Sequence, residues 1–170
     1  MRYLIVVDMQ NDFVTGSLGS KMAEMIVPAV CEKIRSYKAQ GSTVFMTLDT
    51  HFKDYLETPE GHCIKGTEGW QPETQVAEAI GGSAEVYEKS TFGSAELAQH
   101  LAEITKAGDE IELCGLCTDI CVVSNALLIK AFCPECEVIV DANACAGVTE
   151  ESHKAALVTM ASCQCKIDNF

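Results

Sequence analysis

The 170-residue chain is predicted to fold as an α/β protein with an open, six-stranded, mostly parallel sheet and helices on both faces. Two observations predict this class. Short runs rich in β-branched residues alternate with segments in which apolar residues recur at helical spacing. The intervening segments are long enough for helical crossovers, which is how consecutive parallel strands are connected.

The first strand–helix–strand unit shows the pattern most clearly. A strand is predicted over residues 3–8, and a second over residues 43–49. Between them, Gly41 ends a helix whose apolar positions are Ile26, Val27, Val30, Ile34 and Tyr37. The later elements are, in order, a strand over 84–88, a helix over 94–107 that stops at Gly108, a strand over 110–115, a helix over 119–132, a strand over 137–141, a helix capped by Thr149 and a short strand over 166–168.

One segment, residues 50–83, breaks the alternation. Its 34 residues include five Gly, two Pro, two His and the only Trp, and they predict no more than a short helix near residues 73–79. Loops of this length inside a compact domain are usually functional. We therefore expect this loop to contribute to a site.

The charge balance argues against two classes of partner. The chain has 25 Asp and Glu against 12 Lys and Arg, a formal net charge of −13, which repels nucleic acid and anionic lipid. No apolar run is long enough for a membrane span, and Asp8 ends the first apolar run too early for a signal peptide. A cytoplasmic location is predicted.

The ten cysteines are predicted to be free thiols, because several lie within apolar runs and no export signal precedes them. Parallel sheets bind ligands beyond the carboxyl ends of their strands. The predicted strands end at Asp8, at Asp49, next to Lys89 and just before Cys117 and Cys121. The sequence therefore predicts that carboxylates, a lysine and a thiol converge on one edge of the sheet.

Cys121 is expected in the first turn of a helix, where the positive end of the helix dipole lowers a thiol pKa. In that case Asp8 could accept the thiol proton, Lys89 could hold the Asp8 charge, and the amides of Cys117 and Cys121 could hold an oxyanion. Each residue also has an ordinary structural explanation when taken alone: a buried thiol, a turn-capping Asp or a solvated lysine.

Three motifs together resemble the isochorismatase-like cysteine hydrolases, and more closely their nicotinamidase branch. They are Val7-Asp8-Met9-Gln10-Asn11-Asp12-Phe13, Glu88-Lys89-Ser90-Thr91-Phe92 and Gly115-Leu116-Cys117-Thr118-Asp119-Ile120-Cys121-Val122. The resemblance covers nearly the whole chain and implies one domain over residues 1–170. It implies a catalytic triad of Asp8, Lys89 and Cys121, an oxyanion hole at Cys117 and Cys121, and a cis peptide bond between Leu116 and Cys117.

The long loop resembles the metal loop of nicotinamidases. Asp49, His51 and His62 would be the ligands, with Glu60 as a fourth, and zinc would be the metal, with iron or manganese as alternatives. Only ten residues separate the two histidines, and Glu60-Gly61 replaces the family's Trp-Pro. The alternative is a pair of loop histidines with no ligand role.

Two aromatic residues are candidates for the substrate pocket. The resemblance implies that Phe13 flanks the substrate ring, whereas the alternative for Phe13 is core packing. Trp70 follows His62 instead of preceding it, so the family's tryptophan role is not transferred to it.

The resemblance implies a metal-assisted amidohydrolase of pyridine nucleotide salvage that converts nicotinamide to nicotinate and ammonia through a cysteine thioester. The substrate would be a small amide, and a homo-oligomer is left open. One alternative is a metal-independent family member acting on another small amide, a ureido compound or a vinyl ether. Another, suggested by the ten cysteines, is a thiol redox or zinc-storage protein.

Overall fold

The computed structural model describes residues 1–52 and 61–170. Its strands are β1 (Arg2–Val7), β2 (Thr43–Asp49), β3 (Glu85–Lys89), β4 (Glu110–Leu116), β5 (Glu137–Ala146) and β6 (Lys166–Asp168). Its helices are α1 (Asn11–Val14), α2 (Lys21–Ala39), α3 (Thr74–Ile80), α4 (Ala95–Ile104), a π-helical turn (Thr118–Val122), α5 (Val123–Phe132) and α6 (Glu150–Ser162).

The strands form one six-stranded sheet in the order β3-β2-β1-β4-β5-β6. Every neighbouring pair is parallel, which confirms the predicted fold class. The chain runs outward from β1 to β3 and then returns to place β4 on the other side of β1. Ligand sites of parallel sheets lie at this kind of reversal, beyond the carboxyl ends of the strands.

Both faces of the sheet are covered by helices. Alternate side chains of β1 enter opposite layers, with Ile5 and Val7 on one side and Leu4 and Val6 on the other. The first layer is completed by α4, α5 and α6, and the second by α2 and α3. Because both faces are buried, the central strand β1 is apolar from Tyr3 to Val7, directly before Asp8.

The predicted boundaries hold with four corrections. The helix predicted over 94–107 ends at Ile104, because Thr105 is already extended. The strand predicted to end at residue 141 continues to Ala146, since a register shift between Leu113 and Gly115 lets β5 rejoin β4 after an irregular stretch. The helix predicted over 119–132 is a π-helical turn followed by α5. A short helix, α1, was not predicted. Thr149 caps α6 as predicted.

The carboxyl end of β4, which lies at the site, requires a glycine at position 115. Its φ is 118°, and a Cβ there would overlap the carbonyl of Val7 on the neighbouring strand. Only glycine combines that backbone conformation with so close an approach.

Among the described residues, no helix is long and apolar enough to cross a membrane.

A charged cluster under the sheet gives a test of the fold. Lys33 Nζ lies 2.5 Å from Glu112 and 2.7 Å from Asp141, and both carboxylates are buried. Burial alone would raise the pKa of Asp141, but Lys33 holds that pKa below its usual range. This stabilisation is present above the ordinary carboxyl pKa and is lost as the pH falls through the depressed value.

Lys33→Met is expected to destabilise the protein by about 3 kcal/mol, because it removes the cation shared by two buried carboxylates and leaves Glu112 only a longer contact, 3.6 Å, with Arg2. The free energy of unfolding at neutral pH, from denaturant titration, measures the effect. Lys154→Met is the control, since it breaks only an exposed pair with Glu150 and should cost less than about 0.5 kcal/mol. Equal effects of the two substitutions would contradict the buried-cluster account.

Candidate active site

The Lys89 ammonium is the centre of the site. It closes β3 and is nearly inaccessible to solvent, with its Nζ 2.6 Å from Asp8 Oδ2, 3.5 Å from Cys121 Sγ and 3.8 Å from Asp49 Oδ1. Burial alone would lower the pKa of Lys89, but the nearby carboxylates of Asp8 and Asp49 raise it above its ordinary value. Lys89 therefore remains charged and holds the three groups together.

Asp8 follows β1 directly and is completely buried. Its φ of 46° is uncommon outside glycine and turns the chain out of the sheet. Thr47 Oγ1 donates a hydrogen bond of 2.6 Å to Asp8 Oδ1. Burial raises the pKa of Asp8, and Lys89 only partly opposes this. A carboxylate with a raised pKa is a better proton acceptor than a solvated one.

Cys121 lies in the π-helical turn, not in the first turn of an α-helix. The structure also overturns the expected thiolate: burial and the neighbouring Asp8 carboxylate raise the pKa of Cys121, despite the opposing charge of Lys89. Desolvation and a negative neighbour thus both act against ionisation of this thiol. The resting group is a thiol, and it must lose its proton as it attacks.

Cys117 precedes that turn, and the peptide bond between Leu116 and Cys117 is cis, as the resemblance implied. The carbonyl of Cys117 accepts hydrogen bonds from the amides of Ile120 and Val122, each at 3.0 Å. The i−5 bond from Val122 makes the turn wide. Cys117 and Cys121 thus lie at either side of one turn at the end of β4, where the sequence predicted them.

Asn125 was missed by the sequence reasoning. Its buried side chain donates to the carbonyls of Cys121 (2.8 Å) and Phe92 (3.1 Å), and accepts from the amide of Ser94 (2.9 Å). It thereby ties the Cys121 turn to the segment that follows Lys89. The available signal was an Asn four residues after Cys121 in a mostly apolar helix.

A second cluster adjoins Lys89 and consists of Asp49, His51 and His62. Asp49 Oδ2 lies 2.9 Å from His51 Nε2 and 3.3 Å from His62 Nε2. All three potential ligand atoms lie within 4.8 Å of one another. His51 is buried and its ring centroid is 5.0 Å from that of His62. The structure therefore brings three of the four predicted ligands together, while Glu60 lies outside the described residues.

The donor set fits a divalent metal ion. One carboxylate and two imidazoles are common zinc ligands, and atoms at zinc-ligand distance in a tetrahedral shell are roughly 3.4 Å apart. The two distances from Asp49 Oδ2 are close to that value. In the described part of the chain this is the one group of three or more such ligands, and it contains no cysteine. This finding gives the zinc-storage alternative no support.

The two candidate aromatic residues lie beside the metal cluster. The ring of Phe13 is 5.7 Å from that of His62 and tilted by 55° to it. Trp70 Nε1 donates a hydrogen bond of 2.9 Å to Thr50 Oγ1, in the residue between Asp49 and His51. Phe13 is thus placed to face a ligand of the cluster, whereas Trp70 supports the chain that carries it.

The comparisons with known proteins agree with this geometry. The Isochorismatase domain model matches residues 2–167. An uncharacterized isochorismatase family protein, PncA, from Bacillus subtilis (strain 168) is 29% identical over 177 residues, which cover 91% of each chain.

Two solved structures cover 99% of this chain and 99% of their own. Nicotinamidase/pyrazinamidase PncA from Bacillus subtilis has a TM-score of 0.86 at 26% identity. Pyrazinamidase of Pyrococcus horikoshii in complex with zinc has a TM-score of 0.84 at 29% identity. Since the family model spans almost the entire sequence, this chain belongs to the isochorismatase family of hydrolases.

Proposed function

We propose that the protein is an amidohydrolase that converts nicotinamide to nicotinate and ammonia. One observation carries this proposal: the Lys89 ammonium contacts both Asp8 and Cys121 and lies 3.8 Å from Asp49 of the metal cluster. Groups suited to acyl transfer therefore adjoin groups suited to binding a pyridine ring. The relatives named nicotinamidase or pyrazinamidase support the same substrate class.

The first half of the reaction forms a thioester. Asp8 accepts the proton of the Cys121 thiol as the sulfur attacks the carboxamide carbon. The amides of Cys117 and Cys121 hold the resulting tetrahedral oxyanion. Asp8 then returns the proton to the leaving nitrogen, the C–N bond breaks and ammonia departs. The raised pKa of Asp8 suits both directions of this transfer.

The second half hydrolyses the thioester. Asp8, again ionised, removes a proton from water as the water oxygen attacks the acyl carbon, and the C–S bond breaks to release nicotinate. The proton returns to the Cys121 sulfur. Throughout, Lys89 offsets the negative charge that moves between Asp8 and Cys121, because its Nζ contacts both side chains.

Asp49, His51 and His62 would hold the divalent metal, which we propose is zinc. When bound, the ion supplies a Lewis acid that binds the ring nitrogen directly or through water. Phe13, next to His62, would flank the ring and limit its rotation, so that the carboxamide is held near Cys121. A cytoplasmic location stays a prediction.

An ammonia-release assay over a panel of amides tests this assignment. Nicotinamide and pyrazinamide should be hydrolysed, whereas benzamide, which has the same shape without a ring nitrogen, should be hydrolysed at least about 100-fold less efficiently. Equal rates on nicotinamide and benzamide would contradict recognition of the ring nitrogen. Activity confined to aliphatic amides or ureido compounds would replace the substrate assignment with the metal-independent alternative.

His51→Ala is expected to reduce bound metal sharply and to lower kcat/KM for nicotinamide by about 100-fold or more, because the ring loses its anchor. Hydrolysis of a small activated ester without a ring nitrogen should change little, since the thiol chemistry is intact. Metal content and both activities are measured in parallel, with His100→Ala as a control for a histidine outside the cluster. Equal loss on both substrates would refute the anchoring role.

A further inference from the structure

The segment that follows Asp8 reaches both parts of the metal cluster. From its contacts we infer that Gln10 and Asp12 are positioning residues that set the placement of Asp49 and His62 relative to each other. This inference rests on the proposed function, because it assigns the two residues to the proposed metal site. Neither residue belongs to the predicted ligand set or to the predicted triad.

Gln10 fixes Asp49 through its backbone. The side chain of Gln10 is completely buried, and its Oε1 accepts a 2.8 Å hydrogen bond from the amide of Asp49. Its Nε2 donates to the carbonyl of Asp49 at 2.9 Å and to the carbonyl of Trp70 at 2.9 Å. Both backbone groups of Asp49 are thus bound by one side chain, which restricts how its carboxylate can be directed.

Asp12 fixes the second ligand through the neighbouring residue. Its Oδ2 accepts a hydrogen bond of 2.8 Å from the amide of Cys63, which directly follows His62. Its own amide donates to the carbonyl of Gly69 at 2.9 Å. A Cβ at position 69 would overlap the Asp12 carboxylate, so glycine is needed there for the carboxylate to reach Cys63.

The need for such support follows from the topology. Asp49 ends a rigid buried strand, whereas His62 belongs to the long loop that separates β2 from α3. Backbone hydrogen bonds between His51 and residues 63 and 65 connect the loop to the strand at one point. Gln10 and Asp12, in the segment that follows β1, add a second connection. Gln10 binds Asp49, and Asp12 binds the residue next to His62. Residues that orient metal ligands in this way commonly change metal affinity by 10–100-fold when they are replaced.

Zinc affinity of the metal-stripped protein tests the inference. It is measured by competition with a chromophoric chelator, for wild type, Gln10→Met, Asp12→Ala and Gly69→Ala. Gln10→Met keeps the side-chain volume but removes both hydrogen-bonding groups, and Gly69→Ala displaces the Asp12 carboxylate without changing it. Each variant is expected to raise the Kd for zinc by roughly 10–100-fold. Circular dichroism confirms that each variant is folded.

Asn11→Ala is the matched control. Asn11 lies between the two proposed residues, and its side chain donates to the carbonyl of Glu68 in the same loop, which is neither a ligand nor a ligand's neighbour. Its zinc Kd should stay within about threefold of wild type. Asp12→Asn, which retains an acceptor oxygen for Cys63, should recover part of the affinity lost in Asp12→Ala.

The outcomes separate this inference from the proposed function. If folded Gln10→Met, Asp12→Ala and Gly69→Ala all bind zinc as wild type does, the positioning role is overturned, whatever their activity. If Asn11→Ala weakens binding equally, the effect is general loop attachment and the inference is also overturned. If wild type binds zinc, the three variants bind it weakly and nicotinamide is not a substrate, the positioning role stands and the substrate assignment fails.

Discussion

Cys121→Ala is expected to lower kcat for nicotinamide by at least about 1,000-fold, because it removes the proposed nucleophile and leaves no other thiol in contact with Lys89 among the described residues. The fold should survive, since a buried thiol is replaced by a methyl group of similar size. Ammonia release gives the rate, and thermal unfolding confirms the fold.

Cys133→Ala is the matched control for this substitution. Cys133 is as buried as Cys121, at 5% against 7% exposure, but it lies at the far end of α5. We expect its kcat to be that of wild type. If Cys121→Ala kept more than about a tenth of the wild-type kcat, another group would be the nucleophile. If both variants lost activity equally, the thiol redox alternative would gain support.

Asp8→Asn is expected to lower kcat by about 100- to 1,000-fold, because an amide cannot accept the thiol proton or return it to the leaving nitrogen. Because the Asp8 carboxylate also raises the pKa of Cys121, its removal should lower that pKa, so the lower kcat reports the loss of the group that carries the proton. Alkylation of Cys121 by iodoacetamide should not slow, because Lys89 still favours the thiolate once the Asp8 charge is gone. That reaction depends on the thiolate and needs no bound substrate.

Thr47→Val separates the base from its support. It removes the hydrogen bond to Asp8 Oδ1 while leaving the carboxylate and its ion pair with Lys89 in place. A reduction in kcat of about tenfold or less is expected. Asp8 would be removed from the base role by either of two results. One is an Asp8→Asn variant that retains substantial activity, and the other is an equal reduction in kcat for Asp8→Asn and Thr47→Val.

The position of the site was predictable because parallel strands gather their carboxyl ends. Asp8, Asp49 and Lys89 each lie at the end of a predicted strand, so the sequence already indicated that β1, β2 and β3 place them at one edge. The third of the three motifs places Cys121 just after the predicted strand over 110–115, and so at the same edge. The structure places Lys89 Nζ within 3.8 Å of Asp8, Asp49 and Cys121.

Other features could not be obtained from local sequence. The pKa of Cys121 depends on burial and on Asp8, a residue more than one hundred positions away, so helix-end reasoning predicted the wrong direction. The Asn125 side chain bonds Ser94, 31 residues away, and the Gln10 side chain bonds Asp49, 39 residues away. The continuation of β5 beyond Asp141 depends on its register with β4. These are properties of tertiary packing, which residue spacing does not encode.

The central claim, that Cys121 carries the acyl group of a pyridine carboxamide, is tested most directly by trapping the intermediate. Wild-type protein is mixed with excess nicotinamide, quenched in acid within one turnover and digested at low pH, where thioesters persist. Mass spectrometry should then find one nicotinoyl group on the peptide that contains Cys121, and no such group in Cys121→Ala. A nicotinoyl group on a different residue, or active turnover with Cys121 unmodified at every quench time, would contradict the account.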